Sequence, residues 1–303
     1  MEYVRYKVQV PGVGDPMVLR MQARSQNVAL FGSDSFIGGS LAKAMAAAGR
    51  HVMPSLSDNV ADLSIPDGCN TVLFCHDVSM DTERHAAMLD ALCRRLSEKH
   101  ADGNAIHVCL FTPAAVCQPS RGIVREDSPT RPNGRCGVAA CHAELLLHAW
   151  QEMTSNAIIS HIFRYGELYG EPCGKETGLG HLNAALQLAR QSKPIPMRGF
   201  GLQKRTLTHI DDFSRAVATV LSEYGLPRIV NIPGERMTIA QYMNAIAAAF
   251  NVDLDYQASK TDFDENLPPY SGDCVLSSSV FRGLVTFKPQ YKFMKWLFAM
   301  HNS

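Results

Sequence analysis

The sequence predicts an α/β protein built on a doubly wound parallel sheet, with a smaller C-terminal lobe and an added N-terminal β-hairpin. Three observations carry the prediction. Short apolar runs such as Thr71 to Cys75 and Ile106 to Phe111 lack inside–outside alternation, as expected of parallel strands covered on both faces. Segments of helical periodicity alternate with these runs, a rhythm that implies right-handed crossovers in one sheet. The first strand, Val28 to Phe31, enters a helix through Gly32, Ser35 and Gly38.

Each element follows from a local pattern. Val4, Tyr6, Val8 and Val10 alternate with Arg5, Lys7 and Gln9, Pro11 to Pro16 form a turn, and Met17 to Met21 return; residues 1–26 therefore read as a hairpin extension. From Phe36 to Ala48 a helix carries Ile37, Leu41 and Met45 on one face, and His51 to Met53 is a second strand. A helix over 81–99 has Met88, Leu89, Leu92 and Leu96 as its inner stripe. Another runs from about Gly137 to Met153, before the strand Ala157 to Phe163. The nucleotide-binding half is thus expected over 27–170. Residues 171–303 break into shorter Pro- and Gly-rich elements, mainly a substrate lobe with some segments returning to the main domain.

Composition narrows the function classes. Lysine plus arginine and aspartate plus glutamate are equal at 29 each, with no long charged block, which argues against nucleic-acid or membrane-surface binding. No apolar run approaches the roughly 18 residues of a membrane span, and no signal-peptide core follows Met1. Nine cysteines occur without a C-x-x-C pair, so they read as thiols in a reducing cytoplasm rather than disulfides or a metal site. Cys136, Cys141 and His142 lack zinc-ligand spacing.

A glycine-lined strand-to-helix turn aims backbone N–H groups and a helix N-terminus at a phosphate. Gly32 and Gly38 hold the outer positions of such a loop, and Ser35 places a side chain where close pyrophosphate approach asks for none. The alternative is structural: Gly32 only turns the chain and Gly38 only lets the helix pack. No acidic residue closes the second strand, where Pro54 and Ser55 stand.

Further segments, in order, resemble an extended short-chain dehydrogenase/reductase of the NAD-dependent epimerase/dehydratase family. Phe111 to Cys117 resembles its S-S-x-x-V-Y segment, and Glu126 and Pro132 resemble the lead-in to the active-site helix. Phe163 to Gly170 resembles L-R-x-x-N-V-Y-G, Gly199 to Asp212 resembles G-D-G-x-Q-x-R-D-F-x-H-V-x-D, and Asn231 to Gly234 resembles Y-N-I-G-G. The resemblance implies NAD or NADP at Gly32, Ser35, Phe36, Ile37, Gly38, Asp62 and His76, and a nucleotide-sugar ligand at Glu167 and Arg205.

The resemblance fails at the chemistry. In that family a tyrosine moves the proton, a lysine four residues on lowers its pKa, and a serine or threonine binds the reacting oxygen. An unperturbed phenol titrates near 10, so it needs that cation. Those positions hold Cys136, Ala140 and Pro113, with Thr112 adjacent. Residues 8–164 contain no tyrosine, and their only lysines are Lys43 and Lys99. Cys136 reads as a small buried filler rather than a new nucleophile. Tyr256 to Lys260 spells a tyrosine–lysine motif, yet it follows an alternating strand beyond the nucleotide half. Tyr291 and Lys295, and Tyr3 and Lys7, share the spacing by chance.

His76 and Asp77 stand where the family has small residues lining the cofactor, and Glu167 stands where it has a diphosphate-binding asparagine. Arg205 reads either as a phosphate contact or as a partner of Asp211 or Asp212. His209 reads as packed, and Arg164 as a buried ion-pair partner. The helix from Gly137 to Trp150 is apolar nearly all round, so it is expected to be buried on all sides. By family resemblance it and the 81–99 helix form a homodimer or heterodimer interface through Ala139, Leu146 and Trp150. Three functions compete: a non-catalytic regulatory or assembly subunit, an NAD(P)-dependent epimerase or reductase with unusual groups such as Thr112, Cys136 or His76, and an NAD(P) sensor. The triple loss favours the first.

Overall fold

The computed structural model describes residues 27–55, 69–76, 82–99, 105–117, 122–132, 134–171, 180–223, 225–257 and 272–301. The expected 1–26 hairpin, Asp62, Asp77 and Lys260 lie outside them. In chain order the nucleotide half holds β1 (Asn27–Phe31), α1 (Phe36–Ala47), β2 (His51–Ser55), β3 (Thr71–Phe74), α2 (Thr82–Lys99), β4 (Ile106–Pro113), β5 (Ile123–Val124), α3 (Gly134–Met153) and β6 (Ile158–Tyr165). There follow β7 (Glu167–Tyr169), α4 (His181–Arg190), β8 (Ile195–Arg198), β9 (Lys204–His209), α5 (Ile210–Val220), β10 (Ile229–Asn231), β11 (Glu235–Thr238), α6 (Ile239–Phe250) and β12 (Leu254–Gln257). β13 (Val275–Leu276), α7 (Ser279–Leu284) and α8 (Phe293–His301) complete the chain.

Six strands form one parallel sheet in the order β10-β6-β4-β3-β1-β2. The fold class read from the sequence is therefore correct, and the missing alternation has its physical cause on both sides of the sheet. Val28 and Leu30 face a core with Leu41 and Met45 of α1 and Phe213 and Val217 of α5. Ala29 and Phe31, one residue out of phase, face Met88, Leu89, Leu92 and Leu96 of α2 and Ala143 and Leu147 of α3. Both faces are apolar because both are covered.

The order reverses at β1, whose neighbours are β2 and β3. In open α/β sheets the ligand crevice lies beyond the carboxyl ends of the strands at such a switch point. There, the Gly32 turn follows β1, and Cys75 and His76 follow β3. Beyond the sheet, β7, β9 and β11 form a second, mixed sheet, while β8 pairs with β12 and β5 with β13. The strand containing Tyr256 is thus far along the chain from the crevice strands, and Tyr256 is 60% exposed on it.

One expectation needs correction. The α3 helix is not buried all round, since Val138 and Leu145 are more than half exposed. Also, Ala139 packs with Ala114 and Val116, while Leu146 and Trp150 pack against the α2 side of the sheet and Trp150 donates to Asp90 at 2.9 Å. This packing leaves Leu146 and Trp150 partly buried. Sequence apolarity gave α3 no preferred side, so the inner and outer positions were not separable by pattern.

Candidate nucleotide site

The β1–α1 loop is tightly built. Gly32 has φ 79°, and a Cβ on it would lie 3.0 Å from the Cys75 and His76 backbone. A Cβ on Gly38 would collide with the Gly32 carbonyl. Both glycines therefore serve close packing of strand, turn and helix. Ser35 is the N-cap of α1: its hydroxyl accepts from the Gly38 N–H at 2.9 Å and donates to the Cys75 carbonyl at 2.8 Å. Its side chain is buried and turned inward, so it does not occupy the space above the loop. Phe36 and Ile37 open the helix, where backbone N–H groups precede the first intrahelical acceptors. This geometry fits a pyrophosphate at the helix N-terminus.

Beside the loop, His76 stacks with Phe74 and lies 5.9 Å, ring to ring, from His85. His85 is 1% exposed, edge-on to Phe74. Burial, then the His76 charge, lowers its pKa from 6.5 to about 4. The unfolded chain therefore binds the proton first as pH falls, and stability is lost between about pH 6.5 and 4. The loss is expected to reach about 3 kcal/mol. Urea titrations across that window should show the slope, and His85→Phe should flatten it. An unchanged slope in the variant contradicts this assignment.

The positions to which the resemblance assigns the family's chemical groups converge because α3 starts against the turn after β4. A Cβ on Gly137 would come within 2.6 Å of the Ala115 carbonyl. This brings Pro113, Cys136 and Ala140 to the same end of the sheet as the loop. Cys136 is half-buried, not the fully buried filler expected, because it stands on the first turn of α3. Ala140 is wholly buried in an apolar cluster with Ala114, Val116, Cys117, Val124 and Leu276.

One turn further along α3, Glu144 takes two charge-assisted bonds from Arg164, Nε at 3.0 Å and Nη2 at 2.6 Å. Thr112 donates to the same carboxylate at 2.7 Å, and Arg164 Nη1 reaches Cys117 Sγ at 3.4 Å. Thr112 and Arg164 are register partners on β4 and β6, and all three polar residues are at most 5% exposed. Arg164 is thus the buried ion-pair partner anticipated, whereas Glu144 was not singled out in the sequence. Its signal was an acid set among the apolar residues Ala143, Leu145, Leu146 and Leu147. The Thr112 hydroxyl is committed to Glu144, and burial raises the Cys117 thiol pKa despite Arg164.

Among the described residues, the remaining aromatic hydroxyls lie elsewhere, with Tyr165 the exception. Tyr169 is buried against His209, Phe293 and Trp296. Tyr291 stacks on His209 at 3.7 Å. Tyr242 is buried in the C-terminal core. Tyr165 pairs in register with Pro113 and packs edge-on to Phe213. His209 is a buried N-cap of α5, accepting from the Asp211 N–H at 3.2 Å, and burial lowers its pKa. Asp212 is taken by Arg215 and the Gln290 and Tyr291 N–H groups. Arg205 instead donates to the Lys204 and Gly272 carbonyls, both at 2.9 Å. Its expected pairing with Asp211 or Asp212 is not formed. Among the described residues, no group of three His, Cys, Asp or Glu side chains is placed to hold a metal ion, and no helix is long and apolar enough to cross a membrane.

Residues 108–233 match the model of the NAD dependent epimerase/dehydratase family. No curated protein matches the chain. Among solved structures, a UDP-glucuronic acid 4-epimerase from Bacillus cereus, in complex with UDP-glucuronic acid and NAD, superposes with TM-score 0.72 at 16% identity, over 91% of this chain and 98% of that one. The dTDP-glucose 4,6-dehydratase DesIV from Streptomyces venezuelae gives 0.70 at 17% identity, over 91% and 96%. A dTDP-glucose 4,6-dehydratase from Bacillus anthracis gives 0.68 at 15%, over 91% and 95%.

Proposed function

From a chain whose residues 108–233 match the NAD-dependent epimerase/dehydratase family, and whose fold is that of the extended short-chain dehydrogenases/reductases, we propose a nucleotide-binding subunit that does not turn over. It keeps the NAD site of its fold and serves a regulatory or assembly role. The observation that carries this reading is the wholly buried Ala140 inside an apolar cluster, at the position where the family resemblance places the lysine.

The binding half of the proposal rests on the β1–α1 loop. Phe36 and Ile37 N–H groups would hold a pyrophosphate, with Gly32 and Gly38 shaping the turn and Ser35 fixing the helix start. The relatives named above were solved with NAD bound, which supports NAD as the ligand. A bound NAD supplies a hydride acceptor, and this chain's own groups then lack a proton path. Pro113 offers no hydroxyl, Thr112 already donates to Glu144, and the Cys136 thiol has no lysine at 140.

The second reading, an active epimerase or reductase, has one observation in its favour: Tyr165 is the register partner of Pro113 at the sheet end. Exposed Val138, Leu145 and Met153 on α3 support self-association through α2 and α3, by a face one residue removed from the one read in the sequence. Eight free thiols among the described residues support a reducing compartment such as the cytoplasm. Calorimetric titration with NAD tests the proposal's first half. Saturable binding that weakens at least about tenfold in Gly32→Val is expected, and absence of binding to the folded protein contradicts it.

A further inference from the structure

We infer that His85 is a further binding residue of the nucleotide site, its ring hydrogen-bonding a ribose hydroxyl of the bound dinucleotide. The inference rests on reading the β1–α1 loop as that site.

His85 stands in the first turn of α2, against the carboxyl end of β3. Its ring lies edge-on to Phe74 at 5.1 Å and 5.9 Å from the His76 ring. His76 in turn backs the β1–α1 loop, its backbone nitrogen 3.0 Å from where a Cβ on Gly32 would lie. Loop, His76 and His85 thus succeed one another beyond the carboxyl ends of β1 and β3. This is the crevice where the strand order reverses.

The sequence position belongs to the core. His85 is in helical phase with Met88, Leu89, Leu92 and Leu96, the stripe that α2 packs on the sheet, and it is 1% exposed. Yet neither ring nitrogen has a hydrogen-bond partner, and the His76 backbone approaches without completing a bond. A buried polar group left unpaired costs free energy that a leucine or phenylalanine here would not. Stability alone would therefore place an apolar residue at 85. A ligand that meets the ring nitrogens offsets this cost.

The chemistry of the ring selects the ligand group. Burial first, then His76, lowers the His85 pKa to about 4, and His142 of α3 acts in the same direction. At neutral pH the imidazole is therefore uncharged, with one N–H donor and one bare acceptor nitrogen. The oxygens of a pyrophosphate only accept at that pH, whereas a hydroxyl both donates and accepts. A dinucleotide carries ribose hydroxyls beside the pyrophosphate that the loop would hold, so a ribose hydroxyl suits both nitrogens. His85 is shielded in the free protein, and the contact forms as the half-buried His76 ring turns aside.

Calorimetric titration with NAD at neutral pH tests this on wild type, His85→Leu and His85→Gln, each checked by urea unfolding. His85→Leu is expected to fold at least as stably as wild type and to bind NAD about tenfold more weakly. His85→Gln, which keeps a donor and an acceptor, is expected to restore most of that affinity. A purely structural histidine predicts the reverse, lower stability with unchanged affinity, and that result overturns the inference. His85→Phe is read by the same criteria should the leucine variant fail to fold. A ribose contact also leaves wild-type affinity level between about pH 6 and 8. Tightening toward the acid end with proton uptake would assign the contact to phosphate and overturn it. Weakening in Gly32→Val with none in His85→Leu sinks the inference alone, whereas a wild type that binds no NAD sinks the loop reading beneath it.

Discussion

Glu144→Gln is expected to lower stability by about 3–5 kcal/mol, the scale of breaking a buried ion pair while leaving one charge behind. Arg164 is 1% exposed and makes two charge-assisted bonds to Glu144, at 3.0 and 2.6 Å. Without the charge, its guanidinium keeps one neutral amide oxygen and the Cys117 sulfur at 3.4 Å and meets an amide NH2, donor against donor, while the Thr112 hydroxyl loses a charged acceptor. Arg164→Met should cost a similar amount by stranding Glu144. The double change Glu144→Leu/Arg164→Met should recover much of the loss, because apolar replacement of both partners removes the desolvation penalty as well as the attraction. Urea unfolding midpoints at constant slope measure all three. A loss below about 1 kcal/mol in Glu144→Gln would mean that water or another group already shares the charge.

The second large effect is expected from Ala140→Lys. The alanine is fully buried among Ala114, Val116, Cys117 and Leu276. A lysine there must either bury an ammonium or force the cluster apart. Glu144 lies one turn away on the same helix face, but both its oxygens are engaged by Arg164 and Thr112. An uncompensated charge is therefore the outcome, with a loss of about 3 kcal/mol or more. A folded variant melting like wild type would show that the position still has room for the cation, and the site would then be open rather than closed.

Much of the scaffold was legible from local pattern. The strands were visible as unalternating apolar runs because covered strands have no wet face, and Arg164 at the end of such a run announced a buried partner. The partner itself was not visible. Glu144 lies twenty residues before Arg164 on a helix without a polar side, and only the β4–β6 register with Thr112 brings the three together. Ser35 raised a steric objection that the sequence could not settle, since its side chain turns inward as a cap. On α3 the inner and outer faces differ by one residue, Leu146 against Leu145, and nothing in composition distinguishes them. Glu167 was read as an obstacle to a diphosphate. Its approach to Gly180 at the start of α4 depends on how that helix docks, which no single-strand pattern encodes.

The central claim is that hydride and proton chemistry have left a site that still receives the dinucleotide. Its most direct test is the nicotinamide absorbance of the protein saturated with NAD and then given a UDP-sugar. No change over many hours is expected, with NAD recovered intact. Reduction of the nicotinamide that disappears in Tyr165→Phe or Cys136→Ala would contradict the claim and assign the missing proton path to that side chain.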